Sequence, residues 1–264
     1  MRHVLLFFVV VTNVFSQTTS EATYSQTDSV VNLEDIVVTA TKTPKRKTNS
    51  AVIINVINSE AIRNVQACNL SESLSFQTGL RVETDCQTCN YTQLRINGMS
   101  GGFSQILING RPTFSPLMGL YALEQFPSNM IEKIEVMKGG GSTLYGSSAI
   151  GGTVNIITKI PKENSSQIEF STHSIDRQSN DYSILGNSSI VSKSKKAGLS
   201  LFVNKREREA YDNNQDRFSE LPYLNNLSFG ANMYFMPEEN QKLDVSFSSI
   251  YEYRYGGEMP VQNP

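Results

Sequence analysis

Three rhythms of apolar and polar residues follow one another along the chain. The first is an unbroken apolar run at residues 4–11 (VLLFFVVV), preceded by Met1-Arg2-His3 and closed by Val14-Phe15-Ser16. A basic start, a short apolar core and a small residue before the break are the three parts of a secretory signal peptide. The run is too short to span a bilayer, so residues 1–16 are read as a leader that directs the rest to an oxidising compartment. Residues 17–49 are polar and poor in aromatics, which predicts disorder. One β-prone stretch interrupts them: Glu34, Asp35, Ile36, Val37, Val38, Thr39, Ala40 and Thr41, followed by the basic linker at 43–47 (TPKRK). Such a short run cannot bury itself within a polar tail. It is suited either to adding a strand to another protein's sheet or to opening the next domain.

From residue 50 to about 160 strand and helix signals alternate. Residues 52–57 (VIINVI) read as a buried strand. Ser59 caps a helix through Asn64, and Asn69 caps a second one (LSESLSF) that Gly79 ends as a C′ glycine. Residues 80–83, 92–97, 105–109, 131–136 and 153–158 carry strand patterns. Residues 120–126 suit a short helix, and Gly110-Arg111-Pro112 marks a turn. The prediction is an α+β domain with one modest core.

Beyond Pro161 the period becomes two. Leu227, Phe229, Ala231, Met233 and Phe235 alternate with Ser228, Gly230, Asn232 and Tyr234; Leu199, Leu201 and Val203 share the rhythm. Leu243, Val245 and Phe247 do the same in a run that ends at Tyr251 and Tyr253. Runs of about ten residues with one apolar face and terminal aromatics fit antiparallel transmembrane β-barrel strands. A soluble β-sandwich fits the period equally well. Short connections at 192–196 and 237–241 alternate with a long one at 207–225, as in a barrel. Residues 161–264 hold about five such strands, fewer than the smallest barrels need, so a fragment of a longer protein is expected.

Composition narrows the chemistry. Lys and Arg number 23 against 25 Asp and Glu in 264 residues, with no clustered basic excess, so nucleic acid is not an expected partner. Of 2 histidines, His3 lies in the leader, leaving His173; no histidine triad or multi-histidine metal site can be assembled. No spacing brings together a nucleophile, a base and an orienting group. No enzyme activity, catalytic residue, metal or cofactor is therefore expected. Cys86 and Cys89 could form a redox pair, half a zinc site or a local disulfide. The missing βαβ context and the missing further ligands favour the disulfide, with Cys68 left as a buried small residue. The stretch at 138–146 (KGGGSTLYG) lacks the Lys-Ser/Thr of a phosphate loop. It has Leu144 where a dinucleotide fingerprint needs glycine.

The blocks at 134–139 (IEVMKG), 142–146 (STLYG) and 149–158 (AIGGTVNIIT) resemble the closing signature of the plug domain of TonB-dependent outer-membrane receptors. Residues 107–112 (LINGRP) and 95–98 (RING) match the same family's internal strands, and residues 34–41 resemble its TonB box. Gly140 departs from the pattern, since many relatives carry proline there. The segment around Cys86 and Tyr91 is most similar to a Bacteroidetes-type branch, with cobalamin and catecholate-siderophore receptors as the nearest well-known relatives.

The resemblance implies a plug at 50–160 inside a barrel of about 22 strands, in the outer membrane with the plug facing the periplasm. Ligand contacts would then fall at the plug apices, on Gln87, Asn90, Tyr91, Met99, Phe103, Phe114, Leu117 and Tyr121. Arg95, Glu132, Glu135 and Lys138 would touch the barrel wall. The implied partners are a periplasmic TonB-type energy-transducing protein, outer-membrane lipid, a small-molecule metal chelate such as a ferric siderophore, haem or cobalamin, and a surface lipoprotein. The alternative is a secreted or surface-exposed β-rich binding or adhesion protein without energy coupling.

Overall fold

A computed structural model describes residues 36–39, 42–84, 91–112, 123–238 and 241–259. The leader at 1–16, the polar segment up to residue 35, Cys86 and Cys89 lie outside the described residues.

The first half of the chain builds a five-stranded sheet. Its strands are β3 (Ile54–Asn58), β6 (Ser104–Ile108), β7 (Arg111–Pro112), β8 (Ile131–Lys138) and β9 (Gly152–Thr158), in the order β3-β8-β9-β6-β7. Only β6 and β9 run parallel. Two short strands precede it: β1 (Ile36–Val37) pairs antiparallel with β2 (Lys45–Arg46). A separate hairpin joins β4 (Leu80–Thr84) to β5 (Thr92–Ile96).

Two helices cover one face of the sheet. Helix α1 (Ser59–Asn64) is capped by Asn58, one residue before the expected Ser59, because its side chain reaches the Ala61 N–H at 2.8 Å. Helix α2 (Leu70–Ser75) is capped by Asn69 as its sequence predicts, with the Glu72 N–H at 2.9 Å. The helix ends earlier than expected, at Ser75, and Gly79 (φ 75°) instead turns the chain into β4. The core beneath the helices gathers Ile57, Ile62, Leu70, Leu74, Ile134 and Ile156. A second cluster, on Val37, Ile54, Leu107, Met137, Tyr145 and Ala149, includes the N-terminal strand.

The second half is one antiparallel sheet of long strands: β10 (Ser165–Ile175), β11 (Ser179–Val191), β12 (Ala197–Arg208), β13 (Tyr223–Phe235) and β14 (Leu243–Tyr255). Its burial is inside out. Ser183, Ser200, Asn204, Asn226 and Ser228 are buried, whereas Phe170, Phe229, Phe247 and Tyr251 are exposed at 72%, 48%, 59% and 67%. A soluble sandwich would bury the apolar face; a water-soluble monomer rarely exposes so continuous a patch. Lipid is the solvent that this face fits, with Tyr182, Tyr253 and Tyr255 gathered near the end that carries the long β12–β13 connection. Among the described residues no helix is long and apolar enough to cross a membrane, which says nothing of strands.

The polar inner face receives the first domain. Phe202 on β12 crosses into the helix-side core, and glycine at 230 on the neighbouring strand leaves room for its ring. Gly152, at the start of β9, has φ 150° and lies so close to β8 that an added Cβ would stand 2.5 Å from the Met137 carbonyl oxygen. That obstacle is backbone and cannot swing aside. Gly152→Ala is therefore expected to destabilise this domain by about 2 kcal/mol, detectable as faster limited proteolysis in membranes.

Candidate functional site

The face of the sheet opposite the helices carries a buried carboxylate. Glu135 lies in the middle of β8, flanked by β3 and β9, and its side chain is fully buried. A lone ion so placed would be very costly. Here one oxygen accepts from the N–H groups of Val38 and Thr39, both at 2.9 Å, and from the Thr39 hydroxyl at 2.6 Å. The other lies 2.8 Å from the Lys133 ammonium.

Residues 36–39 are thereby seated against the sheet. Val37 and Thr39 are buried, while Ile36 points outward at 57% exposure. Lys133 also donates to the Ile36 carbonyl. The Tyr145 hydroxyl donates to the Thr39 carbonyl at 2.7 Å, and Asn155 Nδ2 donates to the Thr39 hydroxyl at 3.1 Å. Lys42 stands 5.3 Å from the Tyr145 ring centre. Burial alone would push the Glu135 carboxyl up. The Lys133 ammonium, the Thr39 hydroxyl and the two amide N–H groups outweigh it and hold the group below the usual carboxylate range. Burial, followed by the Glu135 charge, pushes the Tyr145 phenol up, so it stays a donor.

The sites expected from sequence are distributed unevenly. Glu34, Asp35, Ala40, Gln87, Asn90, Phe114, Leu117 and Tyr121 lie outside the described residues. Tyr91 lines an open pocket of about 420 Å³ with Ser100, Gly101 and Gly102. Met99 and Phe103 are exposed nearby, and the Phe103 carbonyl accepts from the Gly151 N–H at 2.9 Å.

Arg95 pairs with Glu83 across the β4–β5 hairpin, Glu132 with Lys162 at 3.0 Å, and Lys138 donates to the Thr78 carbonyl at 2.6 Å. Together with Glu135 on residues 38–39, these four find their partners, among the described residues, in the first domain and at its exit. Among the described residues, the ion pairs and hydrogen bonds that reach the five wall strands come from residues that the sequence did not single out. Arg206 on β12 binds Asp181 on β11 at 2.6 Å and Glu72 on α2 at 2.8 Å. Arg254 on β14 binds Glu252 at 2.9 Å and Glu124 at 2.5 Å. Asn129 donates to the carbonyls of Gly186 and Val203.

Lys133, Tyr145 and Asn155 were likewise unforeseen. The one available signal was Asn155, a polar residue between the apolar Val154 and Ile156.

A sheet with a lipid-facing apolar surface and an α+β domain seated on its polar face is the architecture of a plugged outer-membrane barrel. Residues 46–153 match the family of the TonB-dependent Receptor Plug Domain. The vitamin B12 transporter BtuB of Vibrio cholerae is 28% identical over 179 residues, covering 68% of this chain and 29% of that protein. The iron-regulated outer membrane virulence protein of the same species is 33% identical over 153 residues, covering 55% and 23%. Among solved structures, the siderophore receptor PirA from Acinetobacter baumannii shares the fold with a TM-score of 0.66 at 23% identity, over 76% of this chain and 32% of that one.

Residues 46–153 are thus a plug domain of the TonB-dependent receptor type, and the strands that follow share the fold of the first barrel strands of outer-membrane receptors. The chain spans 29% of the length of the B12 transporter that it matches.

The seat of residues 36–39 depends on an ionised Glu135. Its lowered pKa means that the carboxylate's contribution to docking is present at neutral pH and is lost as pH falls through that depressed value. Glu135→Gln removes the charge at all pH values. It is expected to weaken docking by about 2 kcal/mol, a roughly 30-fold faster amide exchange at Val38 and Thr39. Unchanged exchange would show that the carboxylate does not hold the segment.

Proposed function

We propose that this chain is the plug and first wall of a receptor that imports a large, scarce metal chelate, a cobalamin or a ferric siderophore, using energy delivered from the periplasm. Further strands complete the barrel, since unpaired edges cannot sit in lipid. Residues 34–41 are the TonB box, the segment a periplasmic TonB-type protein takes up as an added strand. The observation that carries this reading is the seat of residues 36–39. The segment is held by β1–β2 pairing and by polar contacts to Glu135, Tyr145 and Asn155, all of which a competing strand can replace.

Each hydrogen bond contributes about 0.5–1.5 kcal/mol net, so a short ribbon can be gripped, pulled and released. The chelate contacts proposed are Gln87, Asn90, Tyr91, Met99, Phe103, Phe114, Leu117 and Tyr121, on loops where small and aromatic side chains meet a bulky ligand. A Cys86–Cys89 disulfide would stiffen the first of these loops.

Two substitutions separate stowing the segment from handing it over. Val37→Pro removes a ladder donor and resists strand addition. At normal surface abundance it is expected to bind radiolabelled cyanocobalamin or ferric enterobactin as before, while uptake falls to the level of uncoupled cells. Glu135→Gln only loosens the seat and keeps uptake. Normal uptake by Val37→Pro would remove residues 34–41 from the coupling role.

A further inference from the structure

The outward rows of the barrel sheet carry a single cation. Among the outward positions of β10 to β14, Lys205 on β12 is the only lysine or arginine. It stands in an apolar row, with Ile184 opposite it on β11, Leu227 opposite it on β13, and Tyr251 next in line on β14. Ile184, Leu227 and the neighbouring outward Val203 are exposed, like the rest of the lipid-facing surface. A lysine on such a surface is costly at the middle of a bilayer and nearly neutral at its edge. Its flexible stem allows the ammonium to leave the apolar row and reach that edge.

The ammonium does leave the row. It donates to Asn225 Oδ1, one row nearer the long β12–β13 connection. Asn225 Nδ2 donates in turn to the Tyr223 hydroxyl at 3.4 Å, and that hydroxyl donates to Glu207 at 3.1 Å. A polar chain therefore runs along the outer face of the strands, with the cation at one end and the acid at the other. Among the described residues Lys205 makes no ion pair, since Glu207 is engaged by the phenol instead. A cation at the border of the apolar band, without an acid of its own, calls for an anion from the membrane.

Beside this chain lies a cleft of about 600 Å³. The rings of Tyr223 and Tyr253 meet edge to face, with centres 6.1 Å apart. Together with Tyr255 they wall the cleft, and Gln178 and Glu209 add an amide and a carboxylate. Tyrosine offers an apolar body and a hydroxyl, which suits the C–H face and the hydroxyl rim of a sugar. Along the strands the surface thus runs from apolar rows to a cation to an aromatic, polar cleft. Acyl chains, phosphate and sugar follow in the same order in a phosphorylated glycolipid standing in a membrane.

We propose that Lys205 and the cleft of Tyr223, Tyr253 and Tyr255 form a seat for a phosphorylated glycolipid of the outer leaflet, with the phosphate on Lys205 and the sugar on the tyrosines. The long β12–β13 connection lies at this end, as the extracellular loops of such barrels do. The seat rests on the barrel reading of β10 to β14. It is independent of the chelate carried and of the coupling role of residues 34–41. A lipid held there braces β12, β13 and β14 against one another at the foot of the long connection.

The test uses the full-length receptor, extracted from outer membranes in detergent and stripped of lipid. It is titrated with bis-phosphorylated lipid A, with the same lipid A after removal of its phosphates, and with phosphatidylglycerol. Bound lipid is counted by native mass spectrometry. The native receptor is expected to bind bis-phosphorylated lipid A at least about tenfold more tightly than either of the others. Lys205→Met, apolar and similar in length, is expected to lose the preference for the phosphorylated form, and Lys205→Arg to keep it. Tyr253→Leu is expected to lose the preference over phosphatidylglycerol. Should these variants fail to assemble, the three lipids on the native receptor decide alone.

Equal binding of lipid A with and without its phosphates would overturn the seat, and so would a full preference retained by Lys205→Met. Equal binding of phosphatidylglycerol would show a site for any anionic lipid and overturn the sugar cleft. In each case a receptor recovered from the membrane leaves the barrel reading standing. A full-length receptor recovered outside the membrane would take both away.

Discussion

One buried charge organises the face of the plug sheet that holds residues 36–39. Glu135 stands in the middle of the plug sheet, where an isolated carboxylate would be intolerable. Residues 36–39 complete it by bringing two N–H groups and a hydroxyl to a single oxygen. The dependence runs in both directions. Without the segment the carboxylate keeps, among the described residues, only Lys133; without the carboxylate the segment keeps a two-residue ladder, the buried Val37 and a few neutral hydrogen bonds. A polar seat of this kind has a useful property. Its bonds are strong while water is excluded and are readily exchanged for another strand's bonds once the segment lifts.

The barrel strands solve the opposite solvent problem. Their outer rows are apolar because lipid is their solvent, and their inner rows are small and polar because the plug is their neighbour. Side-chain alternation with a period of two makes both possible in one strand. The inner wall then carries its own charges, Arg206 with Asp181 and Arg254 with Glu252, and each arginine also binds one plug acid. Mutual desolvation explains why these contacts are few and specific. Breaking one leaves an uncompensated charge in the seam.

Much of this was legible in the sequence, and the boundary of legibility is physical. Local signals survived translation into structure: the Asn69 cap, the strands at 131–138 and 152–158, and the alternating rows of β12 to β14. Each of these depends on neighbours a few residues away. Asn58 displaced Ser59 as cap because β3 runs one residue further than its apolar run, which only pairing with β8 determines.

The seat of residues 36–39 could not be read. It joins positions separated by 96 or more in sequence, and nothing local marks Glu135 as different from Glu132. Arg206 and Arg254 were hidden for the same reason. Within their strands they occupy inward positions like any other, and their partners Glu72 and Glu124 come from distant helical turns.

In the proposed function the central relation is competition: the force that stows residues 36–39 is the force a periplasmic partner would have to overcome. It is tested most directly by titrating the purified full-length receptor, free of chelate, with the soluble domain of a TonB-type protein. If docking on Glu135 withholds the segment, Glu135→Gln raises the fraction free to pair, and the Kd falls by about 30-fold. An unchanged Kd, with both receptors intact, would show that the buried carboxylate has no part in controlling the handover.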